Sequence, residues 1–471
     1  MADSFYWYDL ETSGTNPKWD RIVQFAGLRT DADLNPLNEG YCTYVQLADD
    51  VLPNPQASLV TSITPQLTHK EGISETQALL NINRLFCVPN TCVAGYNSLR
   101  FDDEFMRYGL YRNLLDPYAR EWQQGNSRWD LIDLVRATGA LRRDGIQWPR
   151  DDQGLPVYKL EALTQANGIA HGNAHDALSD VYATVGLARL IKKNQPKLFE
   201  YYFSLRRKKA VRELLEPYGA RICVHVSALY PRERFGVGPV MSITPHPSNA
   251  NSIVVVDLAE DVEPLLAMNA EEIAQKLFTA DASERPPLKE IRINRCPFIA
   301  PIEVLNEENL ARIPIDLKAV KARARRIRQP GFAQKVARAY RQRENIKSAD
   351  PDAGLYDGFL QEEDRSRNQF LHSEIAQGRW PEVDFSDSRL VMLAQRMKAR
   401  SFAGQLNAQE AASWRTFVAE KLTTEGEWMS LTQFESAIKK MRGDQPADSR
   451  EGLLLDQLAA HALEVRRRYQ L

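Results

Sequence analysis

Short apolar runs broken by turn-formers open the chain. Phe5 to Leu10, Ile22 to Arg29 and Tyr41 to Leu47 read as strands, and GTNP and DADLNP between them predict an antiparallel meander. The period then lengthens. Apolar residues recur at helical spacing over Glu75 to Phe86, Thr91 to Ala94 is a short strand, and helices follow from about Asp103 to Leu114 and from about Asp176 to Lys192, the last ended by NQP. Strands followed by alternating helix and strand predict an α/β unit, a mixed sheet with helices on its faces. After the basic run Arg206, Arg207, Lys208, Lys209 and Arg212, the strand patterns Ile222 to Leu229, Val240 to Thr244 and Ile253 to Leu258 predict a small β-rich unit, with PHPSNANS as a strong turn. From about residue 302 the pattern is helical. Lys318 to Lys347 is crowded with Lys and Arg, and Glu410 to Leu422, Leu431 to Met441 and Leu453 to Tyr469 read as amphipathic helices.

Length turns this pattern into a domain plan. The 471 residues exceed what one hydrophobic core organises, and three units are expected, residues 1–195, 196–347 and 348–471. Hydrophobic residues at 43% and charged residues at 26% place the chain far from the disordered regime. A net charge of −2 gives no global attraction to phosphate, so any nucleic-acid binding must use a local basic groove. The five cysteines are scattered with no CxxC pair, which excludes the usual zinc and redox motifs and predicts reduced, structural thiols. No basic segment leads into an apolar stretch at the start and no run of about 18 apolar residues occurs, so a cytoplasmic location is expected.

Three groups carry candidate chemistry. Asp9 and Glu11 lie two apart in an aromatic-rich strand, which places both carboxylates on one face of the sheet. An isolated pair of this kind is ordinarily solvent-facing. Asp102, Asp103 and Glu104 sit where a helix begins, and acids there also serve free NH groups and the helix dipole. His175 and Asp180 fall in NAHDALSDVYATVGLARLI. A histidine at a helix start is commonly a polar contact, and Asp176 competes for the cap. Asp180, however, lies among small and apolar residues where its helix would pack on the sheet, and an ionised carboxylate in that place needs a cation.

In this order, DxE, a distal Asp, then His with Asp five residues later, the residues resemble the DEDDh exonuclease superfamily and within it the bacterial exonuclease I family. The segments that carry the resemblance are YDLETSGTNP, GYNSLRFDDEFMR, NSRWDLIDL, LPVYKLEALTQANGI and NAHDALSDVYAT, with weaker likeness through VVVDLAED and LYDGF. The superfamily motifs cover about the first 190 residues. The resemblance implies an RNase H-like exonuclease domain, an SH3-like β-barrel domain and a helical C-terminal domain. It also implies 3′→5′ hydrolysis of single-stranded DNA to 5′-mononucleotides with two Mg²⁺ ions, Mn²⁺ being an alternative. Asp9, Glu11, Asp102 and Asp180 would be the metal ligands, Glu11 would also touch substrate, and His175 would act as general base toward the attacking water. Hard cations require such oxygen ligands, and an imidazole with a pKa of about 6.5 accepts a proton near neutrality.

Strand selection requires cations for the backbone and rings for unstacked bases. Arg107, Tyr118, Trp122, Arg128, Trp129 and Arg136 interleave the two types, and the resemblance implies strand contacts for Arg107, Tyr118, Trp122 and Arg136. Packing in a core is the competing reading for each. Lys159 stands where the family pattern carries Arg, keeping the charge without the bidentate fork. The basic stretch from Lys318 is either a solvated helix face or a surface for DNA or an acidic peptide. The family implies the latter partner, the acidic C-terminal tail of single-stranded DNA-binding protein, with Arg142 as a further candidate contact. A monomer with no membrane association is expected. The rival readings are an RNA exonuclease with the same metal site and a non-catalytic single-strand binder. The long extension argues against a compact oligoribonuclease, and all five motif residues are present.

Overall fold

The structure, a computed structural model, describes residues 4–172, 176–277, 279, 281–341, 347–443, 445–446 and 448–471. In the first unit β1 (Ser4–Thr12), β2 (Ile22–Asp31) and β3 (Tyr41–Tyr44) form the expected meander. The third strand is shorter than its apolar pattern: from Val45 only a single bridge to Ile73 continues the pairing. Two short helices, α1 (Pro55–Thr61) and α2 (Pro65–Glu71), escaped the periodic reading. Both are set by local signals, the caps Asn54 and Thr64 each followed by Pro at the first helical position. Then come α3 (Glu75–Phe86), β4 (Thr91–Gly95), α4 (Asp102–Arg112), β5 (Ser127–Asp130), α5 (Leu131–Leu141), α6 (Leu160–Ala166) and α7 (Ala177–Asn194).

The sheet order is β3-β2-β1-β4-β5, antiparallel from β1 to β3 and parallel from β1 to β5. Strand β1 is therefore central and covered on both faces. Its alternation sends Tyr6, Tyr8 and Leu10 into a core with Phe25, Phe86 and Phe105, while Phe5 and Trp7 pack with Trp129 on the side taken by α5 and α7. Asp9 and Glu11 share that second side.

Helices α8 (Pro196–Ser204) and α9 (Lys208–Leu215) lead into the second unit. Its five-stranded antiparallel sheet runs β10-β6-β7-β8-β9, from β6 (Cys223–Val226), β7 (Val237–Pro245), β8 (Ser252–Asp257), β9 (Leu288–Arg292) and β10 (Phe298–Pro301). Helices α10 (Glu263–Ala267) and α11 (Ala270–Leu277) separate β8 from β9, and α12 (Glu307–Arg312), α13 (Leu317–Arg326) and α14 (Phe332–Tyr340) follow. Its core is continuous with that of the first unit through Trp129, Tyr202 and Phe298.

The third unit is helical: α15 (Glu362–Ile375), α16 (Ser388–Ser401), α17 (Ala408–Thr423), α18 (Leu431–Arg442) and α19 (Arg450–Tyr469). Leu52 of the first unit completes its main core around Phe434 and Leu458. A buried charge network adds to this joint. Arg400 binds both Asp50 and Asp352, Lys421 reaches Asp50 at 2.8 Å, and Arg21 reaches Asp352 at 3.3 Å. Burial alone would neutralise these two carboxyls, but the cations outweigh it and hold both far below the usual carboxylate range. All five cysteines are free. Among the described residues no helix is long and apolar enough to cross a membrane.

Candidate active site

Strand β1 ends beneath the N-terminal turn of α7, and the site forms there. Asp9 and Glu11 project from the strand and Asp180 from the first turn of the helix, so that one carboxylate oxygen from each lies within 4.8 Å of the others. A bend between β4 and α4 brings in the fourth acid. Asn97 adopts a left-handed conformation that Asn tolerates (φ 63°), and a Cβ on Gly95 would stand 2.9 Å from the Tyr8 carbonyl, so the chain passes close to β1 at this point. Asp130 fixes the bend: its carboxylate accepts from the backbone NH of Asn97 (2.8 Å), Leu99 (3.1 Å) and Ile132 (3.0 Å), the last as the cap of α5. The motifs GYNSLRFDD and SRWDLIDL thus belong to one device, in which the aspartate of the second shapes the loop of the first. Asp102 follows, 5% exposed.

The electrostatics are those of an unneutralised acid cluster. Burial, then Asp102 and Asp180, push the Asp9 carboxyl well up. Burial, then Asp9, Asp180 and Asp176, raise Glu11 to about 9. Asp102 is likewise raised by burial, with Asp103 and Asp130 adding to it. Among the described residues no Arg or Lys is paired with Asp9, Glu11 or Asp102. Asp103 behaves oppositely. Its carboxylate accepts from Tyr8 Oη (2.8 Å), Arg120 (2.8 Å) and Arg128, and these arginines overcome burial to hold it far below its ordinary value. Of the acids at the start of α4, one joins the site and its neighbour is a buried structural ion.

A donor set of carboxylate oxygens alone, crowded and partly buried, fits a hard divalent cation. Asp9, Glu11 and Asp180 would hold it, with Asp102 beside Asp9. His175 lies outside the described residues. The sequence reading passed over His171, whose Nε2 is 2.5 Å from Asp180 Oδ1 and whose Nδ1 is 2.9 Å from Thr164 Oγ1. The signal available for it was a second histidine in the loop before α7.

The positions expected to contact a strand fare unevenly. Trp122 is 66% exposed. Tyr118 is half-buried and flanks a cavity of about 500 Å³, whose wall also carries Phe359, itself 83% exposed. Lys159 is exposed at the start of α6. Arg107 is buried and forks onto Glu121 at 2.7 and 2.9 Å, and Arg136 binds Asp133 at 2.8 Å. Trp129 does not belong to this group: it is fully buried in the aromatic core, because β5 faces it inward beside Trp7 and Tyr202. Arg128 is equally structural, on Asp103 and Glu121. Arg142 ends α5 and contacts Asn309 Oδ1 and the Val304 carbonyl across the joint with the second unit. On the basic stretch, Arg326 and Arg338 pair with Glu263 and Glu271, and Lys335 caps carbonyls of α10, while Lys318, Lys321 and Arg325 remain exposed on α13.

Known proteins resemble the whole chain. Three family profiles match in sequence order: an exonuclease family over residues 6–188, the exonuclease I SH3-like domain over 206–342 and the exonuclease I C-terminal domain over 349–465. Exodeoxyribonuclease I of Haemophilus influenzae is 39% identical over 471 residues, covering 98% of each chain. Among solved structures, a moderately thermophilic exonuclease I from Methylocaldum szegediense superposes with a TM-score of 0.92 at 42% identity, over 98% of this chain and 99% of the other. Exonuclease I of Escherichia coli in complex with a dA16 oligonucleotide superposes with a TM-score of 0.93 at 37% identity, over 98% of this chain and 100% of that one. The α/β exonuclease domain with its mixed sheet, the SH3-like domain and the helical C-terminal domain all correspond. With an acid cluster suited to a divalent metal at the end of β1 and relatives matched along their full length, the chain belongs to the exodeoxyribonuclease I family and is an exonuclease.

Proposed function

We propose that the enzyme digests single-stranded DNA from its 3′ end, releases 5′-mononucleotides and uses two Mg²⁺ ions, in cytoplasmic DNA repair and recombination. The observation that carries the metal reading is the convergence of Asp9, Glu11 and Asp180, with no Arg or Lys among the described residues paired with Asp9 or Glu11. Bound divalent cations supply charge stabilisation and activation of the attacking water, which isolated carboxylates cannot. The protein's part is positional. Asp9, Glu11 and Asp180 hold the cations, Asp102 adds negative charge beside Asp9, Glu11 also faces the substrate, and His175 accepts the proton of the attacking water.

Strand choice rests on the surface around the site. Trp122, Tyr118 and Phe359 present rings suited to unstacked bases, and Lys159 offers an exposed cation to the backbone. Arg107 and Arg136 serve the same strand from within their ion pairs. A duplex cannot offer splayed bases to such rings, and an enclosed strand dissociates slowly, so digestion is processive. Arg142 with the exposed cations of α13 receives the acidic C-terminal tail of single-stranded DNA-binding protein. The domains divide near residues 195 and 347, and the enzyme works as a monomer.

Decay of 3′-labelled single-stranded DNA, duplex and RNA, each with Mg²⁺ or EDTA, tests polarity, strandedness, sugar and metal together. Mg²⁺-dependent loss of label from single-stranded DNA alone is the expected result. Equal decay in EDTA, or preference for RNA, would remove the reading.

A further inference from the structure

Two residues beyond Asp102, a single carboxylate gathers contacts from all three units. Glu104 lies in the first turn of α4 with its side chain 15% exposed. Its Oε1 accepts from Arg295 Nη2 at 2.5 Å and from Arg107 Nη1 at 3.1 Å, and its Oε2 accepts from Tyr356 Oη at 2.5 Å. Arg107 is on α4 itself, Arg295 precedes β10 of the second unit, and Tyr356 belongs to the third. Tyr356 Oη also lies 3.3 Å from Arg107 Nη1, and the rest of the Arg107 guanidinium is spent on Glu121.

The second unit is joined to the first by a shared aromatic core and the third by the Asp50 and Asp352 network. Each of those joints connects two units. At Glu104 the second and third meet on a common group, beside the helix start that delivers Asp102. We propose that Glu104 is a positioning residue that latches the three units into a closed arrangement around the strand, and so sets how long a strand stays bound without acting on the bond that is cut. This rests on the strand-digesting reading above. The physical basis is charge. Glu104 neutralises Arg295 and shares Arg107, and its hydrogen bonds to charged donors are stronger than neutral ones. Glu104→Gln keeps the shape, leaves Arg295 uncompensated and weakens the hold on Tyr356.

The test compares wild type, Glu104→Gln, Arg295→Gln and the double variant on a long 3′-labelled oligothymidylate and on a trinucleotide, with Mg²⁺ and an excess of unlabelled strand as trap. In both single variants the number of nucleotides removed per binding event falls and KM for the long strand rises by about tenfold, as loss of one charge-assisted hydrogen bond brings. Their kcat on the trinucleotide stays at the wild-type value. The double variant is no worse than either single one, since both break one latch. A lowered melting temperature with unchanged run length and KM would make Glu104 merely structural and overturn the proposal, as would an equal loss of kcat on both substrates. If wild type itself fails to digest the strand, the functional reading is what falls. The latch is then judged by small-angle scattering, where Glu104→Gln must enlarge the radius of gyration and an unchanged radius overturns it.

Discussion

Asp50 and Asp352 are as inaccessible as Asp102, at 1%, 0% and 5% exposure, yet the two places have opposite chemistry. At the joint between the first and third units the chain supplies its own cations, Arg21, Arg396, Arg400 and Lys421, and the carboxylates stay ionised. At the end of β1 none of the described residues supplies an Arg or Lys to Asp9, Glu11 or Asp102, and burial with mutual repulsion drives the carboxyls toward protonation. Burial alone therefore does not mark a site. The discriminating feature is whether the fold neutralises the charge it has buried, and a cluster left uncompensated is one that a mobile cation completes. Within α4 the same distinction separates neighbours, Asp102 facing the uncompensated cluster and Asp103 facing two arginines.

The contrast is most easily broken by neutralising one member of each set. Asp9→Asn is expected to lower kcat at least about a thousandfold, corresponding to about 4 kcal/mol of lost charge stabilisation, while raising the melting temperature in EDTA because repulsion is relieved. A variant that kept wild-type turnover would dissolve the metal assignment. Asp352→Asn is expected to destabilise the protein by about 3–5 kcal/mol in urea, since it strands buried arginines. A loss under 1 kcal/mol would make the joint no different from a surface pair. Saturating Mg²⁺ should stabilise wild type by about 2.7 kcal/mol at a hundred times its Kd, and calorimetry should find this increment gone in Asp9→Asn.

The smallest effect sharpens the contrast by sign. Glu11 has a folded pKa raised from its ordinary 4.5 to about 9, so in EDTA its contribution is fully present below about 4.5 and is lost as pH rises toward 9. Asp103, Asp50 and Asp352 are depressed, so their contribution is present above the ordinary carboxylate range and is lost as pH falls below it. Stability of the metal-free protein should decline on the alkaline side with a slope that Glu11→Gln reduces and that Asp352→Asn leaves in place. Urea midpoints across pH would show this, and an alkaline slope indifferent to Glu11→Gln would contradict it.

Much of the first unit was legible before any coordinates. Alternation in SFYWYDLET placed Asp9 and Glu11 on one face, and the apolar surroundings of Asp180 argued for a cation near it. Identity alone could not separate Asp102 from Asp103, because the arginines that claim Asp103 come from a short 3-10 turn and a strand further on. Strand β5 was read as part of a basic and aromatic stretch, since Arg128 and Trp129 carry no local sign that they face inward. The strands LKEIR and FIAP were missed because so few residues cannot express a period. The Asp50 network was invisible for a different reason: its acid and base partners are separated by some 350 residues of chain.

Helix α19 lies against α1 and α2, where Gln457 accepts from Thr64 at 3.0 Å across 393 positions and Arg468 binds Asp49 at 2.8 Å. On a ribosome adding about 5–20 residues per second, that partner arrives roughly 20 to 80 s after Thr64 has been made. Through this interval the apolar side of the first unit around Leu52 faces solvent or a chaperone, and the nascent nuclease is a half-built vessel. Messages cut short near their end would yield chains whose opening unit never acquires its final wall.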